Sequence, residues 1–162
     1  MQPLVPHLWI NDGKVDEAVD FYVSLLDDSR VVARMPYGPE AGEWAGQTMA
    51  VTFELVGHTY VAINGADTRF EPNEAISLAV PCDTQEEIDR LWSGLTDGGK
   101  GGPCGWLQDR YGFSWQVYPA SLDEHLASDD PERARRAVAY FMTLDGVPFV
   151  LDDLEAAVRG EG

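Results

Sequence analysis

The feature that most constrains this chain is a faint internal repeat at an offset of 70 residues. Residues 6–25 align with residues 76–95 without a gap. The matched pairs are Leu8 with Leu78, Ile10 with Val80, Asp16 with Glu86, Glu17 with Glu87, Ala18 with Ile88, Phe21 with Leu91, Tyr22 with Trp92 and Leu25 with Leu95. Each copy has the pattern of a short strand, a tight connection and an amphipathic helix. Common apolar periods can also match by chance, but two true copies predict a pseudo-symmetric pair of units rather than a solenoid.

Composition and charge exclude several classes of protein. At 162 residues, with 44% hydrophobic and 24% charged residues, the chain fits one domain or two small halves that share a core. A net charge of −17 argues against nucleic-acid binding, because such binding needs clustered lysines and arginines. No stretch has the roughly 18 apolar residues of a membrane span, and the first residues lack the pattern of a secretory signal. Cys82 and Cys104 are too few for a disulfide framework or a zinc site, which favours the reducing cytoplasm. We therefore expect a cytoplasmic protein, and the lack of a long apolar stretch predicts no membrane partner.

Hydrophobic periodicity and turn residues predict two similar units followed by a helical tail. The first unit is predicted to have strands at 5–10, 29–35, 48–56 and 59–63, a helix at 15–26 and a loop at 36–46. The second is predicted to have strands at 75–80, 106–108 and 114–118, and a helix that begins after a capping box at 84–87. Helices at 122–127, 131–144 and 151–159 have no counterpart in the repeat. We therefore place the first module at 1–64, a connector at 65–74, the second module at 75–120 and the tail at 121–162.

Three stretches carry a resemblance to a known family: LWINDGKVDEAVDFYVSLL at 8–26, NEAISLAVPCDTQEEIDRLWSGL at 73–95 and CGWLQDRYGFSWQVYPA at 104–120. They resemble the PhnB-like branch of the vicinal oxygen chelate superfamily, which includes glyoxalase I, extradiol dioxygenases and bleomycin-resistance proteins. The likeness covers essentially the whole chain and is most specific in the last two stretches. It implies an α+β fold in which two βαβββ modules form cup-shaped mixed sheets. It also implies a homodimer, in which two cups complete each other and bury exposed sheet edges.

The PhnB-like branch is often labelled 3-demethylubiquinone-9 3-methyltransferase-like, but the residues do not support that activity. A class I methyltransferase holds its nucleoside cofactor at a glycine-rich turn between a strand and a helix of a doubly wound sheet. The comparable turns here are Asn11-Asp12-Gly13 and Pro81-Cys82-Asp83, and neither is glycine-rich. We therefore expect neither methyl transfer nor a bound cofactor.

The resemblance also defines where a metal site would lie. Metal-dependent members of the superfamily place ligands on the first and last strands of each module, and open positions on the ion then chelate adjacent substrate oxygens. In this chain His7 lies at such a position, and its repeat partner is Ser77. The last strand of the first module, 59–63 with Asn64, has no carboxylate. In the second module the resemblance puts a glutamate four residues after the turn glycine, where the chain has Gln116. We therefore predict no metal site.

A cup without a metal predicts a concave surface that binds a small organic molecule through apolar walls and a few polar groups. The residues predicted to bind it are His7, Trp9, Thr48, Ala50, Asn64, Trp106, Trp115 and Gln116. Two of these have a purely structural alternative, since His7 can be hydrogen-bonded within a sheet and Trp115, like Trp92, can belong to the core. Trp44 and Trp106 lie among glycines, where packing alone asks for smaller residues, and we consider a role in a pocket or a dimer interface for one of them.

The sequence does not identify catalytic residues. Cys104 lies in glycine-rich backbone, and we expect a small buried thiol there. The alternative is a nucleophilic thiol, which needs a partnered base, and His7 is the candidate for it. His58, on a hairpin turn, and His125, at a helix start, are expected to be solvated. The preferred prediction is a metal-free homodimer that binds a small molecule. Two alternatives stay open: a metal-dependent lyase, isomerase or dioxygenase that uses His7 with ligands from a partner chain, and an interaction protein that uses the acidic surface and the tail from Asp129.

Overall fold

A computed structural model describes residues 3–161, and the chain divides into two compact units, Met1–Glu71 and Pro72–Gly162. The first unit contains β1 (His7–Ile10), α1 (Val15–Leu25), β2 (Arg30–Pro36), a 3-10 helix (Pro39–Trp44), β3 (Thr48–Leu55) and β4 (His58–Asn64). The second contains β5 (Ser77–Cys82), α2 (Gln85–Thr96), β6 (Lys100–Gly101), β7 (Trp106–Gln108), β8 (Ser114–Pro119), α3 (Ser121–Leu126), α4 (Pro131–Phe141) and α5 (Leu151–Arg159). Each unit thus has a βαβββ module, and helices follow the second, so the predicted α+β architecture is confirmed.

The repeat in the sequence corresponds to a repeat in the structure. β1 and β5 begin 70 residues apart, and so do α1 and α2. The first strand of each module pairs in parallel with its last strand, His7 with Val61 and Ser77 with Ser114. Val61 follows His7 by 54 positions, whereas Ser114 follows Ser77 by 37. The second module is therefore the shorter one, which is why the offset of 70 ends after the helix.

Each module folds its four strands into one mixed sheet. The strand order is β1-β4-β3-β2 in the first sheet and β5-β8-β7-β6 in the second. Among the described strands, the first and last of each module pair in parallel and the other neighbours are antiparallel. Neither sheet has the doubly wound parallel order on which a class I methyltransferase holds its cofactor.

One amphipathic helix covers one face of each sheet. At the start of α2, the Thr84 hydroxyl oxygen accepts a hydrogen bond from the Glu87 N–H at 3.2 Å. The Glu87 carboxylate in turn accepts one from the Thr84 N–H at 3.0 Å, which completes the predicted capping box. The buried side chains of the two helices are Val15, Ala18, Val19 and Tyr22 on α1, and Ile88, Leu91, Trp92 and Leu95 on α2. Since side chains alternate along a strand, the other face of each sheet is free of its module's helix.

The C-terminal helices pack within the second unit. The Gln85 side chain donates to the Phe149 carbonyl at 2.9 Å and accepts from the Leu151 N–H at 2.7 Å, which joins the start of α2 to the start of α5. Gly105 has a φ of +80°, and a Cβ at this position would lie 2.3 Å from the ring of Phe149. The chain therefore needs glycine at 105 to bring Phe149 against the sheet. No helix of residues 3–161 is both long and apolar enough to cross a membrane.

His125 corrects one prediction from the sequence. His58 is exposed, as expected, but His125 is only 2% exposed rather than solvated. Its Nε2 lies 2.9 Å from the Glu155 carboxylate, and its Nδ1 accepts a hydrogen bond from Arg133 Nε at 2.9 Å. This histidine is therefore a polar link between α3, α4 and α5, whose side chains satisfy both ring nitrogens.

Candidate functional site

The face of strands β5–β8 opposite α2, which we call the site face, carries the candidate residues of the second module. Leu107, Trp115 and Val117 point toward α2, and all three are buried. The alternation along the strands then assigns the opposite direction to their neighbours. The side chains of the site face are Ser77, Ala79, Trp106, Gln108, Ser114, Gln116 and Tyr118.

The two positions of the second module at which metal ligands are expected bind each other. Gln116 Nε2 donates a hydrogen bond to Ser77 Oγ at 2.7 Å. In the first module, strand register makes Ile63, which pairs with Trp9, the equivalent of Gln116. The four positions thus hold the imidazole of His7, a hydroxyl, an amide and an alkyl side chain. Within residues 3–161 no group of three or more His, Cys, Asp or Glu side chains is arranged to hold a metal ion. Neither module's pair of side chains fits a divalent metal, and no chemical step is assigned to one.

Two cavities in the second unit share Trp106 as a wall. The larger, of about 350 Å³, is lined by Lys100, Pro103, Cys104, Trp106, Gln108 and Ser114, among others. The smaller, of about 260 Å³, lies between the site face and the C-terminal helices, with Trp106, Gln116, Tyr118, Leu122, Phe141 and Phe149 in its lining. Indole, aliphatic and thiol groups alternate here with a few polar ones, which is typical of surfaces that bind small organic molecules.

The turn between β7 and β8 is fixed by Asp109, which is 3% exposed. One of its carboxylate oxygens accepts hydrogen bonds from the Tyr111 and Phe113 N–H groups at 2.8 and 3.0 Å. The other accepts one from the indole N–H of Trp115 at 2.8 Å. Arg110 donates to the Asp97 carbonyl at 2.9 Å and so ties the same turn to the end of α2. The Asp109 carboxylate therefore fixes the conformation of this turn.

The predicted residues of the first module lie on the face of its sheet opposite α1, apart from Asn64. His7 is exposed at the start of β1. Trp9 donates its indole N–H to the Thr68 carbonyl at 2.9 Å, and its ring meets Phe70 edge-on at 5.0 Å. Thr48 and Ala50 belong to the same face by strand alternation, since Ala50 and Trp9 both pair with Ile63.

Two of the eight predicted binding residues lie on the helix side of their sheets. Asn64 is 4% exposed; its Nδ2 donates to the Thr48 carbonyl at 2.9 Å, and its Oδ1 accepts from the Ala66 N–H at 3.1 Å. Trp115 is 1% exposed and belongs to the core. Adjacent residues of one strand point to opposite faces, so Trp115 cannot share a surface with Gln116. A binding role for the remaining six stays a prediction.

Part of this surface is not predictable from the sequence. Lys100 and Gly101 form a two-residue strand, which is too short to give a periodic signal. Pairing across this strand places Lys100 next to Gln108, and Gln108 next to Ser114. Ser114 is 3% exposed, and its hydroxyl oxygen has no hydrogen-bond partner among residues 3–161. Only the pairing register, which sequence alone does not give, reveals this arrangement.

The two thiols lie in different environments. Burial, with a smaller contribution from the nearby Glu87 carboxylate, raises the pKa of the Cys82 thiol to about 12. Cys104 is partly exposed between the two cavities, and its Sγ lies 3.7 Å from the Met142 sulfur. The expected burial of Cys104 is therefore wrong. Cys104 belongs to the second unit and His7 to the first, and a catalytic pairing of the two stays an untested alternative.

Comparison with known proteins identifies the relatives of this chain. A family model described as 3-demethylubiquinone-9 3-methyltransferase matches residues 2–118. A PhnB protein from Bacillus cereus, provisionally named as such a methyltransferase, is 34% identical, with 72% of this chain and 98% of that chain covered and a TM-score of 0.60. No curated protein matches the chain.

More distant structures agree in fold. Protein PA1353 from Pseudomonas aeruginosa is 23% identical, with 74% of this chain and 98% of that chain covered and a TM-score of 0.60. The fosfomycin resistance protein FosX from Mesorhizobium loti is 15% identical, with 79% of this chain and all of that chain covered and a TM-score of 0.53. At these identities the likeness supports the fold alone.

Proposed function

This chain belongs to the family described as 3-demethylubiquinone-9 3-methyltransferase, the PhnB-like branch of the vicinal oxygen chelate superfamily, and we propose that it binds a small organic molecule on the site face without a metal. The methyltransferase in the family description is a label. The two four-stranded mixed sheets of this chain have the strand order of glyoxalase-fold proteins, not that of a doubly wound methyltransferase.

The observation that carries this proposal is that Trp106 lines two cavities of the site face. On the same face, the side chains at the two expected metal positions are hydrogen-bonded to each other. An indole that lines two cavities presents apolar area that water solvates poorly, and a planar ligand covers it favourably. These two side chains are Gln116 and Ser77, and their hydrogen bond uses polar groups that would otherwise face a metal ion. Both features support binding by burial and hydrogen bonding rather than by coordination.

We also propose that the protein is a cytoplasmic homodimer. Its modules are then residues 1–64 and 75–120, with a connector at 65–74 and a tail at 121–162. β1 and β2 are the edge strands of the first sheet, and β5 and β6 are those of the second, within the described part of the chain. Exposed sheet edges favour association, and pairing between two copies is the usual way in which a glyoxalase-fold protein would cover them. Light scattering coupled to size-exclusion chromatography gives the mass of the particle, for which we expect twice the 17.9 kDa of one chain.

A thermal-shift screen tests the binding proposal. The protein is dialysed against EDTA and screened against small neutral, cationic and anionic ring compounds at millimolar concentration, so that weak binders also stabilise it measurably. We expect hits that raise the melting temperature of the wild-type protein and of Val138→Ala but have little effect on Trp106→Ala. Val138 is a suitable control because it is 40% exposed on α4 of the same unit and lines neither cavity. Hits that need an added divalent ion, or that act equally on Trp106→Ala, would contradict the proposal.

A further inference from the structure

A row of three polar side chains crosses the second sheet beside Trp106. Lys100 on β6 pairs with Gln108 on β7, and Gln108 pairs with Ser114 on β8. Residues directly opposite each other on neighbouring strands point to the same face, so all three side chains lie on the site face. All three also line the larger cavity. We call these three residues the polar row.

Ser114 is the member of the polar row that most directly indicates a ligand. Its hydroxyl is buried in the cavity wall and has no hydrogen-bond partner in the described part of the chain. Buried hydroxyl groups nearly always have a partner, and one without it is an exception that needs a physical explanation. A serine hydroxyl can donate one hydrogen bond, and rotation about χ1 turns it between staggered positions. A rotation that turns the hydroxyl into the cavity would let a ligand acceptor atom supply the missing partner.

Lys100 supplies the charge of the polar row. The chain has a net charge of −17 and only two lysines, Lys14 and Lys100. One of these two lysines therefore lies in the lining of a mainly apolar cavity. Lys100 forms no ion pair within residues 3–161, and its ammonium group is available to an anion. With neighbouring strands about 4.8 Å apart, Lys100 and Ser114 lie two strand spacings apart, roughly 10 Å between backbones. An extended lysine side chain and a small anion together span that distance.

We infer that the polar row binds the carboxylate of a planar organic monocarboxylate whose ring lies against Trp106. This inference rests on the proposed function and specifies its substrate class. The Lys100 ammonium and the Ser114 hydroxyl donate to the carboxylate, and Gln108 is held between them because its Nε2 donates to the Gly112 carbonyl at 2.9 Å. Glu74 also lines the cavity, where Lys100 is the only basic side chain among the described lining residues. One ligand carboxylate can therefore pair with the ammonium group, whereas a second carboxylate or a dianionic phosphate would face the Glu74 charge without a cation beside it.

Titrations with benzoate and with its neutral isostere benzamide test the inference. Binding is followed by NMR on the wild-type protein and on the variants Lys100→Met, Ser114→Ala and Lys14→Met, with phthalate as a dianionic comparison. We expect benzoate to bind the wild type about tenfold more tightly than benzamide or phthalate, the effect of one charge-assisted contact. Lys100→Met should remove that preference and leave benzamide binding unchanged, whereas Lys14→Met, in the first unit, should have no effect. Ser114→Ala should weaken benzoate binding without lowering the melting temperature, because it removes an unpartnered hydroxyl.

The outcomes separate this inference from the proposed function. Equal affinities for benzoate and benzamide, or a benzoate affinity that Lys100→Met leaves unchanged, would overturn the assignment of a carboxylate to the polar row. If neutral or cationic rings still depend on Trp106, the proposed function stands and only the substrate class is wrong. If no ring compound depends on Trp106, both fail. A melting temperature of Ser114→Ala several degrees below that of the wild type would show that the hydroxyl has a partner within the folded chain, and would remove the argument from Ser114.

Discussion

Replacing the buried carboxylate of Asp109 tests how the turn between β7 and β8 holds the site face in place. In Asp109→Asn, the amide oxygen can still accept from the Tyr111 and Phe113 N–H groups, but the amide nitrogen then faces the indole N–H of Trp115. One charge-assisted hydrogen bond is lost, and two others become neutral. A lost hydrogen bond to a charged group costs about 1.5–3 kcal/mol, so with the weakened pair we expect the free energy of unfolding to fall by about 2–4 kcal/mol.

Urea unfolding followed by circular dichroism measures this change, with linear extrapolation to water. Asp97→Asn is the matched control, because Asp97 is exposed at 77% of its side chain and pairs with Arg110 at the surface; its cost should stay below about 1 kcal/mol. In a Trp115→Phe background no indole N–H opposes the new amide, so Asp109→Asn should cost about 1.5 kcal/mol less than in the wild type. If Asp109→Asn is as stable as Asp97→Asn, the carboxylate does not organise the turn and the reasoning fails.

Three further predictions concern the rest of the second unit. Thr84→Ala removes the cap of α2 and should lower the free energy of unfolding by about 1 kcal/mol in the same urea assay, whereas Thr84→Ser should retain most of it. At pH 8, iodoacetamide should modify Cys104 much faster than Cys82, since a thiol pKa of about 12 leaves roughly one Cys82 in 10⁴ as thiolate; equal rates by mass spectrometry would contradict the burial of Cys82. Burial alone raises the pKa of Glu155, but hydrogen bonds from His125 and Ser121 outweigh it and lower that pKa below its ordinary value. The corresponding stability is present above the unfolded pKa of about 4.3 and lost as the pH falls through the lower folded value, so melting temperatures between pH 3 and 7 should fall more steeply for the wild type than for Glu155→Gln.

The elements predicted correctly are those fixed by residues that lie close together in the sequence. The repeat located β1, β5 and both helices, because an amphipathic helix and its preceding strand have to present apolar residues at fixed spacing whatever their surroundings. The capping box at Thr84 and Glu87 is equally local, since both partners lie within one helical turn. The family resemblance then supplied the topology, which no local pattern contains.

Features that depend on partners distant in sequence were not predictable in this way. His125 was expected to be solvated because of its position at a helix start, but its partner Glu155 lies 30 residues further along the chain. The polar row was not predicted for the same reason, since only the register of three strands places Lys100 and Ser114 in one row across the sheet. Trp115 is a different case, because its burial follows from alternation with Gln116, a signal already present in the sequence.

The central claim is that a small organic molecule binds beside Trp106 without a metal ion. The most direct measurement is the NMR signal of the Trp106 indole N–H, assigned with Trp106→Phe and followed while the best stabilising compound is added. The account predicts that this signal shifts in a saturable way while that of the buried Trp92 does not, with the same dissociation constant before and after dialysis against EDTA. A dissociation constant that weakens tenfold or more after EDTA treatment, or a Trp106 signal that no compound moves, would contradict it.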